Sequence, residues 1–124
     1  MIAADTSSII AYLEGDTGKD VDLIEEALQG KRLLISPVVQ TELLSDPETT
    51  KELLLAITVI PLLEIKPGYW RRAGETRAKI ISKGYKARVA DALIAQSCID
   101  NNLSLITRDR DFRPFSEHCK LSLA

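Results

Sequence analysis

Four carboxylates in this sequence stand where a carboxylate needs a reason. Asp5 directly follows the apolar run Ile2-Ala3-Ala4, and Asp109 closes the run Leu105-Ile106-Thr107-Arg108-Asp109. Glu42 is flanked by Val38, Val39, Leu43 and Leu44, and Asp91 is the single charge in Val89-Ala90-Asp91-Ala92-Leu93-Ile94-Ala95. Each has an ordinary explanation taken singly. Asp5 suits a helix N-cap, Asp91 a first helical turn, and Glu42 a solvated helix face. Taken together they point elsewhere, because clustered carboxylates repel one another unless a cation neutralises them. A lone buried acid is costly unless it is paired or bound to a metal. An oxygen-only donor set without His or Cys suits hard Mg²⁺ or Mn²⁺ rather than zinc. Such ions activate water and stabilise the charge that builds on a phosphate during hydrolysis.

For the four acids to meet, the chain must bring positions 5, 42, 91 and 109 to one place. Ile2 to Ala4 reads as a strand, Asp5 to Ser8 as a turn rich in N-cap residues, and Ile9 to Leu13 as a helix. Asp20 to Gln29 forms the next helix, with Val21, Ile24, Ala27 and Leu28 on one stripe and Gly30 as its stop. Leu33-Leu34-Ile35 is a second buried strand, and Ser36-Pro37 opens another helix with an N-cap and a proline at the first position. Further helices are expected over Glu48–Thr58, Pro67–Lys83 and Arg88–Asn101. Strands are expected at Val59–Leu63 (weakened by Pro61), Leu103–Thr107 and Lys120–Leu123. Strands alternating with helices of this length imply βαβ units and a parallel sheet covered on both faces. The expected fold is therefore α/β, three layers with a central, mainly parallel sheet of four to five strands. In such sheets, sites lie beyond the carboxyl ends of the strands, and that is where Asp5 and Asp109 fall.

Composition narrows the setting. The chain has 124 residues, 45% of them hydrophobic and 27% charged, which suits one globular domain over 1–124 and excludes a disordered or fibrous chain. Cys98 and Cys119 show no CxxC spacing and no Cys/His cluster, so neither a disulfide scaffold nor a zinc site is expected. No apolar run is long enough to span a membrane, and no secretory leader pattern is present, which leads to the expectation of a cytoplasmic protein without a membrane partner. The single histidine, His118, argues against a metal-free ribonuclease built on paired histidines, and no Ser-His-Asp or Cys-His arrangement can be assembled around it from the sequence. It is read as a surface or packing residue.

Four segments carry a family resemblance. Asp5-Thr6-Ser7, Pro37-Val38-Val39-Gln40-Thr41-Glu42-Leu43, Ala90-Asp91-Ala92-Leu93-Ile94-Ala95 and Leu105-Ile106-Thr107-Arg108-Asp109-Arg110-Asp111-Phe112 occur in one order over nearly the whole chain. In this the chain resembles the PIN domain, and among PIN domains the small VapC-type toxin ribonucleases of toxin–antitoxin pairs. The resemblance implies a PIN-like fold and a Mg²⁺- or Mn²⁺-dependent endoribonuclease. Asp5, Glu42, Asp91 and Asp109 would be its metal-holding, catalytic acids. Thr6, Ser7 and Thr107 are supporting hydroxyls in this reading. Asp111 is a further supporting acid that competes with Asp109 for the fourth place, and strand-end position favours Asp109. RNA as substrate, an antitoxin protein as partner and a homodimer are implied as well. The rival expectation is a PIN-fold binding or scaffold module with little activity. Two other phosphate-handling α/β families fail on residues. A receiver domain wants an acidic pair after its first strand, and a haloacid-dehalogenase-type phosphatase wants an acid at position 7, which is Ser7.

A net charge of −2 does not advertise a polyanion ligand. The charge is segregated, however. Residues 71–88 carry Arg71, Arg72, Arg77, Lys79, Lys83, Lys86 and Arg88 against Glu75 alone. This stretch runs into the helix of Asp91 and is the expected RNA-binding surface. Tyr69, Trp70 and Tyr85 bracket it. Trp70 is expected in the core or at an interface, with base stacking by one of the three rings as the alternative.

Overall fold

A computed structural model describes all of residues 1–124. The apolar run after Met1 forms strand β1 (Ile2–Ala4), which lies at the centre of a parallel sheet between β2 (Leu33–Leu34) and β3 (Leu105–Ile106). Ala3 faces Leu34 on one side and Leu105 on the other. The sheet thus has three regular strands rather than four or five. The two outermost segments join it through one parallel bridge each, Leu62 beside Ile35 and Leu123 beside Leu105. Pro61 lacks the N–H that a longer ladder on that edge would use. At the other edge Leu105 donates to the Ser122 carbonyl and accepts from Ala124, and no further rung forms.

Six helices fill the connections between strands, and a seventh follows β3. The chain goes from β1 to β2 through α1 (Thr6–Leu13) and α2 (Lys19–Gln29). It goes from β2 to β3 through α3 (Pro37–Leu44), α4 (Lys51–Thr58), α5 (Tyr69–Ser82) and α6 (Val89–Asp100). These two connections cross the sheet in opposite directions. The right-handed crossover rule then places their helices on opposite faces, giving the three layers. Side-chain caps set several of the helix starts. The Asp5 carboxylate accepts from the Ser8 N–H, the Ser36 hydroxyl from Val38, and the Thr50 hydroxyl from Leu53. Thr50 is why α4 begins at Lys51 and not at Glu48. After β3 come a 3₁₀ turn (Arg110–Phe112) and α7 (Arg113–Cys119), neither of which the sequence pattern foretells.

The core runs through the sheet and both layers, with Ile35, Val39, Ile80, Ala95, Cys98, Leu105 and Phe115 wholly buried. Cys98 and Cys119 are both free thiols. No helix is long and apolar enough to cross a membrane. Trp70 is not in the core: it is 65% exposed and packs edge-on against the buried Tyr69 ring, 5.0 Å away.

Candidate metal centre

The carboxyl ends of β1 and β3 deliver two acids side by side. Asp5, only 3% exposed, ends β1, donates its backbone N–H to the Ile106 carbonyl and caps α1. Its carboxylate accepts from the Ser7 hydroxyl at 2.8 Å, the Ser8 N–H at 3.2 Å and the Thr107 hydroxyl at 2.8 Å. Thr107 in turn accepts the N–H of Asp109 at 3.0 Å. One threonine therefore ties the acid after β1 to the backbone of the acid after β3. Burial raises the Asp5 carboxyl above its ordinary pKa. The bonds from Thr107, Ser7 and Ser8 oppose that rise, and the nearby charge of Asp109 adds to it.

Asp91, in the first turn of α6, comes within the same cluster. Single carboxylate oxygens of Asp91, Asp109 and Asp111 all lie within 4.8 Å of one another. Desolvation pushes the half-buried Asp91 up to about 6. The charges of Asp109, Asp111 and Glu42 push the same way, and Arg88 pulls against them. Asp109 also caps the 3₁₀ turn by accepting the Asp111 N–H at 2.9 Å, and this holds the two acids on one small arc. Glu42 sits on α3, where its Oε1 accepts the Thr6 hydroxyl at 2.7 Å. Thr6 adjoins Asp5, so Glu42 is tethered to the rim of the same site.

The structure thus brings together what the sequence picked out and redistributes the emphasis. The tightest group is Asp91, Asp109 and Asp111. Asp5 and Glu42 stand beside it, each oriented by hydroxyls. The 3₁₀ turn carries both Asp109 and Asp111 into the cluster. The donors are carboxylate oxygens, and a cation beside them would relieve the repulsion among three acids crowded this closely. That donor set fits a hard divalent ion.

Behind the site lies an ion pair with no counterpart in the sequence reading. The Arg108 guanidinium grips Asp20 with two hydrogen bonds, 2.7 and 3.1 Å, and reaches the Thr17 carbonyl at 3.2 Å. Ser8 donates to the same Asp20 at 2.8 Å. The Arg108 bonds, above all, hold Asp20 down at about 2. This clamp fixes β3 to the start of α2 and leaves Thr107 and Asp109 facing the acids. The detectable signal was an arginine between two site residues, although its partner lies 88 positions away.

The basic stretch is divided in the same way. Arg72 forms a two-pronged pair with Asp100 at 3.0 and 2.7 Å, and Asp100 also accepts from Gln96 at 2.9 Å. Arg77 donates to the Ala87 carbonyl at 2.8 Å, and Arg71 pairs with Glu75. These arginines stitch α5 to α6 and to itself, a correction to the view of 71–88 as one continuous ligand surface. Lys79 lines a separate cleft with His118 and Cys119. Lys83 caps the end of α5. Lys86 and Arg88 lead into α6 on the side of the acids, where Arg88 lowers the Asp91 pKa and Lys86 shares a cleft with Asp111.

Thr107→Val keeps the shape of the side chain and removes its hydroxyl. It leaves the buried Asp5 oxygen and the Asp109 N–H without their shared partner, and a loss of about 1–3 kcal/mol is expected. Thr107→Ser should recover most of it, as measured by denaturant unfolding.

Residues 2–117 match the family model described as the PIN domain. A comparison with curated protein sequences finds no match. Among solved structures, VapBC2 from Rickettsia felis, bound to a DNA fragment from its promoter, is similar at 23% identity and a TM-score of 0.74, covering 100% of this chain and 98% of that one. VapBC-1 from nontypeable Haemophilus influenzae is similar at 20% identity and a TM-score of 0.74, covering 100% and 97%. FitAcB from Neisseria gonorrhoeae is similar at 18% identity and 0.71, covering 99% and 96%. The sheet order, the acids at its carboxyl edge and the match over most of the chain agree, and the chain belongs to the PIN domain family.

Proposed function

We propose that this protein is a Mg²⁺- or Mn²⁺-dependent endoribonuclease and the toxin of a toxin–antitoxin pair. The observation that carries the reading is the convergence of Asp91, Asp109 and Asp111 beside Asp5 and Glu42 at the carboxyl edge of the sheet. Asp91, Asp109 and Asp111 would hold the ion, with Asp5 and Glu42 completing the oxygen set. A bound divalent ion supplies Lewis-acid stabilisation of the charge that develops on a phosphodiester during hydrolysis.

The chain's own residues do the rest. Thr107, Ser7 and the Ser8 N–H aim the Asp5 carboxylate, Thr6 aims Glu42, and the 3₁₀ turn aims Asp109 and Asp111. This ordering before substrate arrives lowers the reorganisation the reaction needs. Arg88, at the N-cap of α6, offers a positive charge to the substrate phosphate near Asp91.

An antitoxin and a homodimer belong to the same reading. The similar solved structures include VapBC-5 from Mycobacterium tuberculosis, a member of the VapBC family of toxin–antitoxin systems. An apolar cleft of about 310 Å³ between α1, α2 and α4, lined by Leu13, Leu28, Ile57 and Val59 among others, offers a partner chain a surface to cover.

Incubation of purified protein with total bacterial RNA and Mn²⁺ or Mg²⁺ tests the proposal. Discrete fragments are expected, absent with EDTA and absent with Asp5→Asn. Fragments that persist in both controls would overturn it.

A further inference from the structure

The eight arginines fall into two groups. Five are engaged: Arg32 with Glu26, Arg71 with Glu75, Arg72 with Asp100, Arg77 with the Ala87 carbonyl, and Arg108 with Asp20. The other three, Arg88, Arg110 and Arg113, make no ion pair and no side-chain hydrogen bond, and all three border the acidic cluster. Arg88 caps the helix of Asp91, Arg110 lies between Asp109 and Asp111, and Arg113 opens α7. Lys86 is likewise without a partner.

A cleft of about 320 Å³ opens among these cations. Tyr85, Lys86, Arg110 and Arg113 line it, together with the acids Asp111 and Glu117. Glu117 also approaches His118 Nε2, at 3.8 Å. Asp111 belongs both to this cleft and to the metal-holding group, so the cleft starts where a phosphate at the metal centre would end. Tyr85 is 43% exposed, and its ring is braced 5.7 Å from that of His118. Unpaired cations next to one another repel, and a bound polyanion relieves that repulsion. An exposed, braced aromatic ring beside them adds a stacking face. Cations along a backbone path with an aromatic platform are the combination that holds a single strand of nucleic acid. A duplex keeps its base faces covered and has no use for the ring.

We propose that this cleft is a subsite for one nucleotide of single-stranded RNA adjacent to the scissile phosphate. The base stacks on Tyr85, and its phosphate is held by Lys86 and Arg113, with Arg110 at the boundary to the metal centre. The subsite rests on the ribonuclease reading above and deepens it by naming the side chains that hold the nucleotide beside the scissile phosphate.

The test uses a fluorescent single-stranded oligoribonucleotide in EDTA for binding, and the same RNA with Mn²⁺ for cleavage. Tyr85→Leu is expected to weaken binding about tenfold and Tyr85→Phe to leave it near wild type, since removing a stack costs roughly 5–150-fold. Lys86→Gln with Arg113→Gln should flatten the dependence of log affinity on log salt by about 0.7 for each phosphate no longer neutralised. In cleavage these variants should raise KM and leave kcat close to wild type. A fully paired RNA should bind without any dependence on Tyr85. All of these side chains lie on the surface cleft, and unchanged thermal melting checks that the variants fold. If wild type binds and cuts the single strand and the variants match it, the subsite is overturned and the nuclease reading stands. If wild type neither binds nor cuts single-stranded RNA, both fall.

Discussion

Asp91→Asn is expected to lower RNA cleavage by about 10²–10³-fold or more, the several kcal/mol that metal-assisted charge stabilisation contributes to such a reaction. Without metal the same substitution should make the protein more stable. Burial first, and then Asp109, Asp111 and Glu42 against the opposing pull of Arg88, hold the Asp91 pKa at about 6 in place of 3.8. A carboxyl whose pKa is raised by folding destabilises the folded state once it ionises. Below 3.8 the acid is protonated in the folded and unfolded states alike, and its contribution is fully present. Between that value and about 6 the contribution is lost, and above it the loss is constant. Because the carboxyl is only half-buried, solvent screening reduces the penalty to about 1–2 kcal/mol. Denaturant unfolding in EDTA on either side of that window should show the asparagine variant gaining only on the alkaline side. Adding Mn²⁺ should reverse the order, because the ion stabilises the form that binds it. No alkaline gain in EDTA would mean that Asp91 is not crowded by its neighbours.

The second large effect concerns a residue that carries no charge. Phe112 is 1% exposed and ends the 3₁₀ turn whose other positions are Arg110 and Asp111, with Asp109 as its cap. Its ring packs 6.2 Å from that of Phe115, which is wholly buried on α7. Phe112→Ala should cost about 3–5 kcal/mol. That is a large part of the ~5–15 kcal/mol by which domains of this kind are stable. Phe112→Leu, closer in volume, should lose about 1.5 kcal/mol or less and remain folded. With the fold retained, the leucine variant isolates the local consequence. A loosened turn should weaken Mn²⁺ affinity, measured by the metal's stabilisation of the protein against unfolding. Wild-type metal affinity in the leucine variant would show that the turn is held by other contacts.

The contrast between these two residues shows which part of the molecule was legible in its sequence. Asp91 could be found because a single charge interrupts an apolar helix, and the boundaries of that helix were readable from Arg88 to Asn101. Asp5 and Asp109 could be found because each follows a short apolar strand. Phe112 and Phe115 sit around Pro114 in a run too short and too charged to show helical periodicity, so the turn and α7 were not visible. The ion pairs were hidden for another reason. Arg72 and Asp100 are 28 residues apart and Arg108 and Asp20 are 88 apart, and nothing in local spacing links them. Composition therefore overstated the basic surface, since it counts arginines without knowing which are already engaged. The outer strands were overstated too, because apolar content does not show how few ladder positions an edge will use.

The order of the strands has a consequence for synthesis of the chain. Of the three strands the central one leaves the ribosome before the others, and its two neighbours follow about thirty and one hundred residues later, at Leu33 and Leu105. A nascent chain that stops short of Leu105 leaves one edge of β1 unpaired. It also lacks Asp109 and Asp111, as well as the Thr107 hydroxyl that orients Asp5. Pairings this distant form slowly. A chain so arranged cannot assemble its acidic centre until Asp109 and Asp111 have been translated, more than one hundred residues after β1.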